Sequence, residues 1–471
     1  MKNSRVRGEI LMSKYKRIIG LVLGVLVAII IYNSHFAGLS VEGQKCLAIS
    51  LGGVICWAAG VAQPGYVSLL MLVSYVLTNT APANVVFSLW QTHLVYLVIA
   101  GFLIASAVES SGLGKRIAYT FILKFVHSFT SVIVSCYVLG LFLSFLIPHP
   151  FPRCFLIMSV MGFIIKAADL PREDVAIIGL AVFGGSTANS MVLLTGDSTL
   201  NILAASFGGQ MLSWLDWAKY MAVPGLIAHV LMCGLQLKLF KPSKPFNLDK
   251  EVIRQQLMEL GSLTTIEKKT LFWIVLGVAL WAADSIHHIV PGWIGALVVC
   301  GLAMPVIGDV LKPKNWDTVP IGTLLFLTAA MAIGTVGAHT GMNQWIASVA
   351  LPSYVPTNPF VFALVVTTIA ICIHMVMGSL MAVLGITAPA IIAYAATAGW
   401  NPLFCSLLVY TAICIHWVLP MHSLNILVGT GEEGGQYKDS EVIKFGLAQT
   451  VVVYFIILAV EIPWWKFVGL I

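Results

Sequence analysis

The sequence is short of charge. Only 10% of its 471 residues are Asp, Glu, Lys or Arg, against about 25% in a soluble domain, so its surface is not made for water. It also lacks enzyme motifs: it has no HExxH, no GxSxG, no P-loop and no paired acidic metal motif. Those absences argue against an enzyme. The nine cysteines are scattered through apolar runs, with no CxxC and no Cys/His spacing that suits a metal. They read as small hydrophobes rather than a disulfide framework. A net charge of +6 is too small to argue for nucleic acid. No small-x-small cleavage site follows the basic start and first apolar run, which is expected to stay as an uncleaved span.

Apolar length is what the chain does have. Hydrophobic residues make up 59%, in runs such as Ile18–Tyr32, Leu94–Val108, Ile274–Ala283 and Val451–Ile462. At roughly 20 residues per span, the chain holds about a dozen crossings or half-crossings. Basic residues cluster before the first run (Lys2, Arg5, Arg7, Lys14, Lys16, Arg17) and in the polar stretch Lys238–Lys269. Both are expected on the cytoplasmic side of a cytoplasmic (inner) membrane, which puts the N-terminus there too. The chain then divides into an N-terminus and first span (1–45), a first half (46–238), a cytoplasmic linker (239–269) with a short amphipathic surface helix, and a second half (270–471). Trp57, Trp90, Trp293, Trp464 and Trp465 are expected in interfacial belts.

The sequence repeats itself weakly. Residues 102–107 (FLIASA) resemble 326–331 (FLTAAM), and 198–203 (STLNIL) resemble 422–427 (HSLNIL), both displaced by 224 positions (326 − 102 and 422 − 198). Two matches at one displacement point to duplicated halves, the usual plan of secondary transporters. Sequence similarity alone leaves open whether the halves are parallel or inverted.

Several apolar runs are broken. Pro148, His149, Pro150 and Pro152 interrupt the run near 131–167, giving two pieces too short for full spans, as in a re-entrant hairpin. With Gly112 paired to Gly341, a displacement of 229 (341 − 112), the repeat maps this tip onto Met377, Gly378 and Ser379, within a second hairpin near 360–398. Glycines, hydroxyls and amides then collect near 174–205 (Gly184 to Asn189, Thr195 to Asn201) and near 402–431 (Leu419 to Asn425, Gly429 to Gly431). Such residues suit unwound helices, whose freed carbonyls bind cations and whose helix N-termini hold anions.

Three stretches resemble the divalent anion:sodium symporter family, carriers of dicarboxylates, citrate or sulfate: residues 102–116 (FLIASAVESSGLGKR), 184–201 (GGSTANSMVLLTGDSTLN) and 419–431 (LPMHSLNILVGTG). The resemblance covers roughly residues 45–470. It implies an all-α polytopic membrane protein with two inverted repeats, opposed re-entrant hairpins, broken transmembrane helices, a scaffold that holds a homodimer, and elevator-type movement. It also implies that substrate and sodium meet at the hairpin tips. The chain departs from the family at those tips, where both Ser-Asn-Thr motifs are missing.

The expected substrate residues are His149, Pro150 and Arg153 from the first tip, Ser379 from the second, and Thr199, His422 and Ser423 from the broken segments. Arg153 suits a bidentate clamp on a carboxylate, sulfonate or sulfate, or else it pairs with an acid or reaches the interface. His149 either donates to an anion, carries a proton or is a structural tip residue. His374 and His416 read as satisfied core histidines. Thr187, Asn189, Asp197, Asn201 and Asn425 form the expected cation set, with Asp197 as sodium ligand, proton carrier or partner of Arg153, and sodium as the coupling ion. The function expected is ion-coupled transport of a small divalent anion (di- or tricarboxylate, sulfate or sulfonate) without any cofactor. The alternatives are sodium-independent proton coupling or anion exchange and, from another class, a non-transporting receptor or a membrane-embedded enzyme.

Overall fold

Short polar caps decide where the apolar helices of this chain begin and end. Ser40 Oγ accepts the Gly43 N–H at 2.9 Å, and Gly60 closes the same helix at φ +61°, a conformation open to glycine. In the computed structural model, residues 2–209, 212–243, 246, 250–349, 354–377, 379–419, 422–429 and 434–471 are described. Gly378, Pro420, Met421, Thr430 and Gly431 lie outside them, as does the side chain of Asn425.

The helices run α1 Lys2–Asn33, α2 Val41–Ala59, α3 Pro64–Leu77, α4 Ala83–Val86, α5 His93–Ser111 and α6 Leu113–Phe125. Next come α7 Phe129–Leu143, α8 Pro150–Ala167, α9 Arg172–Ala188, α10 Leu200–Phe207, α11 Trp214–Leu239 and the linker helix α12 Lys250–Glu259. The second half holds α13 Thr265–Ala282, α14 Asp284–His287, α15 Pro291–Ala303, α16 Ile321–His339, α17 Met342–Val349, α18 Pro359–Val376, α19 Leu380–Ala396 and α20 Pro402–Cys414. It ends with α21 Asp439–Phe455 and α22 Ile462–Val468, joined by a π turn at Ile456–Glu461. Among the described residues, six helices are long and apolar enough to cross a membrane.

The halves are interlocked rather than side by side. Helix α5 of the first half packs on α15 of the second, and α16 of the second packs on α3 of the first. Both seams are lined by glycine. A Cβ on Gly292 would meet the His93 carbonyl oxygen at 2.0 Å, and one on Gly65 would meet Gly322 Cα at 2.5 Å. The reciprocal exchange follows the sequence repeat. Gly20 and Gly24 of α1 serve the same purpose against Ala59 and Gly52 of α2.

Both hairpins form where the sequence breaks. α7 and α8 are separated by residues 144–149, and α18 and α19 by 377–379. Pro150 and Pro152 do not end a helix, as their lack of an N–H first suggests. They sit in the first turn of α8, where that N–H has no intrahelical partner in any case. The broken helices also appear. α9 gives way to 3-10 turns at 189–191 and 194–196 before α10, while α20 ends at Cys414 and a 3-10 turn follows at Leu424–Gly429. The tryptophan belt is only partial. Trp293 is exposed, but Trp57 and Trp465 are buried, with Trp465 Nε1 donating to the Tyr220 carbonyl.

The linker is clamped. Arg116 Nε donates to Glu267 Oε1 at 2.6 Å, and its two Nη atoms donate to the carbonyls of Leu260, Gly261 and Ser262. Helix α12 packs on α6 and α8. Because Glu267 is nearly buried, losing its partner leaves a charge without compensation. Arg116→Ala should therefore lower stability in a detergent melt by about 2 kcal/mol, and Arg116→Lys should restore only part of it, because lysine cannot fork between a carboxylate and three carbonyls.

Candidate substrate site at the hairpin tips

Arg153 is the third residue after the first turn-opening proline and is fully buried. A guanidinium at that depth must bring its own solvation. Its Nη1 donates to the carbonyls of Ile147 (2.9 Å) and Gly196 (3.3 Å). Its Nη2 donates to the Ser186 carbonyl (2.6 Å), Asn189 Oδ1 (2.8 Å) and Ser190 Oγ (3.0 Å). Five oxygens from the hairpin tip and the broken helix thus converge on one side chain, and none of them is a carboxylate. Arg153 is neither at the interface nor ion-paired with Asp197. Its forked face is turned to the protein, which leaves Nε without a partner.

The rest of the first break is held the same way. Asn201 donates from Nδ2 to the carbonyls of Ser190 (2.7 Å), Leu193 (2.8 Å) and Leu194 (3.3 Å), which the unwinding sets free. Its Oδ1 accepts from Tyr410 of α20 at 2.6 Å. Asp197 Oδ1 accepts from the N–H groups of Thr199 and Leu200 and from Thr199 Oγ1 at 2.6 Å, so it caps α10, whose N-terminus favours negative charge. Asn189 completes its set through Nδ2 to the Gly185 carbonyl. Thr187 is buried in α9. Trp217 Nε1 donates to the Met191 carbonyl and Trp214 Nε1 to Thr195 Oγ1, so α11 closes the back of the break. Most of the oxygens expected to hold sodium already have protein partners. Five oxygens of the tip and the break surround the Arg153 guanidinium, and of the residues expected to hold sodium only Asn189 is among them.

His149 caps α8. Its Nδ1 accepts the Phe151 N–H at 3.2 Å, and its ring lies on Phe102 with centroids 4.7 Å apart. An Nδ1 that accepts must be bare, so the ring's proton sits on Nε2. The tip is fastened to the break through the Ser198 N–H, which donates to the Pro148 carbonyl at 3.0 Å. Gly101 of α5 lies against both, and a Cβ there would sit 2.5 Å from Ser198 Oγ.

The second half is built from different side chains. Ser379 caps α19, its Oγ accepting from Ala382 N–H at 3.3 Å. His422 Nδ1 accepts from the N–H groups of Val418 (3.1 Å) and Leu419 (3.4 Å), so it too carries its proton on Nε2. Ser423 is buried beside it. The backbone of Asn425 lies in the 3-10 turn that follows. His374 and His416 are buried as expected, but they are not ordinary core histidines. With His422 they form a cluster of three imidazoles. The His374 ring stacks on His422 at 4.2 Å between centroids, and the Nδ1 atoms of His374 and His416 are 3.2 Å apart.

The two breaks meet. α20 packs on α10, the 3-10 turn at 424–429 packs on α8 and α9, and Ser406 Oγ donates to the Ala204 carbonyl. Arg153 Nε, Ser186 Oγ, Ser198 Oγ, His374 Nε2 and His422 Nε2 are all buried without a hydrogen-bond partner. Such atoms are rare in folded proteins and collect where a ligand is handled. Sequence reading missed Tyr410, Trp214, Trp217 and the histidine cluster. Only the cluster left a signal, in that the repeat places His374 at a hairpin end and His416 just after a broken helix.

Apolar helices, two hairpins that stop inside the protein and two crossed broken helices define a secondary transporter, not an enzyme. Residues 14–471 match the model of the sodium:sulfate symporter transmembrane region, and the chain belongs to that family. It is 24% identical to the putative malate transporter YflS of Bacillus subtilis, over 70% of this chain and 72% of that protein. It is 23% identical to the sodium-dependent dicarboxylate transporter SdcS of Staphylococcus aureus, over 70% of this chain and 69% of that one. Among solved structures, the Alcanivorax borkumensis YdaH transporter matches with a TM-score of 0.45 at 15% identity, over 80% of this chain and 84% of that one.

Removing Arg153 should unmake the first break. Arg153→Met leaves five buried oxygens without their donor and should destabilise the protein by about 3–5 kcal/mol in thermal unfolding. Arg153→Lys should recover less than half of that, since an ammonium cannot reach all five oxygens from one position.

Proposed function

We propose that the protein moves a small dianion, a C4-dicarboxylate first of all, across the cell membrane, gripping it between the two hairpin tips. The observation that carries this reading is a pair of histidines, one at the first hairpin tip and one in the second break. His149 in the first half and His422 in the second each have Nδ1 fixed by backbone N–H groups, so each offers an Nε2–H donor. The N-termini of α8 and α19, at Pro150 and Ser379, add the positive ends of two helix dipoles. Thr199 and Ser423 stand at the breaks as further hydroxyls. The two Nε2–H donors and the two helix N-termini suit an anion at this depth. The names of the malate and dicarboxylate relatives point the same way, and sulfate, citrate and sulfonates are the competing anions.

Arg153 enters this reading as a positioning residue. It stands among the oxygens that a mobile cation would need, which favours sodium-independent flux over sodium coupling at the first break. The homodimer, the elevator-type movement and the cytoplasmic N-terminus belong to the same proposal.

Uptake into proteoliposomes tests it. Labelled succinate or malate should accumulate saturably and show counterflow, with sulfate and citrate as competitors. His149→Ala and His422→Ala should each weaken apparent affinity roughly ten- to a hundredfold, the worth of a hydrogen bond to a charged group. Absence of flux for every one of these anions overturns the reading, and a strict sodium requirement overturns its sodium-independent form.

A further inference from the structure

The three imidazoles of the second half have more capacity than anion binding by His422 uses. His374, His416 and His422 are 0%, 1% and 0% exposed. The three rings lie against one another, with centroids 4.2 to 5.8 Å apart. The titratable groups carried by α18, α20 and the elements packed on them are Cys372 on α18, Tyr394 on α19, Cys405, Tyr410 and Cys414 on α20, Tyr454 on α21 and Glu461 on the π turn, while α10 brings none. Asp439, Glu441 and Lys444 sit in the first turns of α21, and Glu441 is taken by Arg172. Tyr410 bonds Asn201, and Glu461 Oε1 accepts from Thr411 at 2.6 Å.

Three clustered histidines invite a metal, but the hydrogen bonds argue against one. His422 Nδ1 accepts two backbone N–H groups, so Nε2 keeps its hydrogen and has no lone pair to offer. The same bonds keep His422 neutral, because a second proton on Nδ1 would face two donors. Capacity for a proton lies in the other two rings. One hydrogen is shared across the 3.2 Å between the Nδ1 atoms of His374 and His416. When His374 supplies it, His374 Nε2 is a bare lone pair, buried and without a partner.

We propose that His374 and His416 bind the proton that travels with the substrate anion: it adds to the His374 Nε2 lone pair from solvent, and the resulting Nε2–H joins the His422 Nε2–H in donating to one anionic end of the substrate. Each charge alone is expensive to bury, and the proton offsets one of the substrate's two negative charges. A lone imidazolium here has no carboxylate to face, and a lone dianion meets only neutral donors. Binding of one therefore favours binding of the other by the same factor. This inference rests on the substrate reading above and adds the coupling ion to it.

Calorimetry on the purified full-length protein separates the two. Succinate, malate, citrate and sulfate are titrated near neutral pH in buffers of different ionisation enthalpy. The heat of the anion that binds should vary with the buffer, corresponding to uptake that approaches one proton per anion. Its affinity should fall up to about tenfold per pH unit on the alkaline side. His374→Gln and His416→Gln, checked for folding by gel filtration, should keep measurable binding and lose the buffer dependence, while Glu461→Gln keeps both. Heat without buffer dependence in the unaltered protein overturns the inference and leaves the substrate reading standing. Proton uptake that survives both histidine changes, or disappears with Glu461→Gln, overturns it as well. No heat with any of the four anions removes both.

Discussion

A guanidinium buried inside a membrane protein has to be solvated by the protein, and Arg153 is solvated by five oxygens that no regular helix could have offered together. Three are main-chain carbonyls from Ile147, Ser186 and Gly196, and two are side-chain oxygens from Asn189 and Ser190. The carbonyl of Ile147 is available because the hairpin stops there, and those around 186–196 because the next helix unwinds. The interaction holds in both directions: the breaks make room for the charge, and the charge keeps the breaks in one shape. Asn201, Trp214 and Trp217 answer the remaining polar groups, so an irregular backbone persists far from water.

The second half has the same plan and other contents. Where the first tip is followed by Arg153, the second has Val383 four residues after its capping Ser379, just as Arg153 stands four after His149. No fixed cation replaces it. Three imidazoles gather instead, coming from the end of α18, the end of α20 and the segment beyond it. One half therefore carries a permanent charge and the other a conditional one. Duplicated architecture often diverges in this manner, since symmetry of the backbone leaves each copy free to change its side chains.

Much of this was legible beforehand. Pro148 to Pro152 marked the first hairpin, and the glycine and hydroxyl clusters marked both broken helices, because such residues inside an apolar run are costly unless the helix does break there. A helix also forms in the linker, at Lys250–Glu259, where one was expected. What did not read out was how each polar side chain is satisfied. Arg153 resembled a substrate clamp because sequence reports charge and depth but not which oxygens face it. Asp197 looked like a cation ligand until the start of α10 placed amides against it. Trp57 and Trp465 looked interfacial by type, and only packing shows that they are interior. The histidine cluster depends on residues 374, 416 and 422 meeting across two helix ends, which no local spacing encodes.

The exchanged packing of α3 with α16 and α5 with α15 bears on how the molecule is made. Gly65 and His93 are synthesised long before Gly322 and Gly292, so during translation the first half presents glycine-lined seams with nothing to fill them. It has no finished interior of its own until well over half of the chain has left the ribosome. Insertion and folding are thus separate events, with early spans waiting loosely in the lipid. The linker is fastened to the first half before the second arrives, by Ser243 on Asp174, Lys250 on Leu123 and, once Glu267 emerges, the clasp of Arg116.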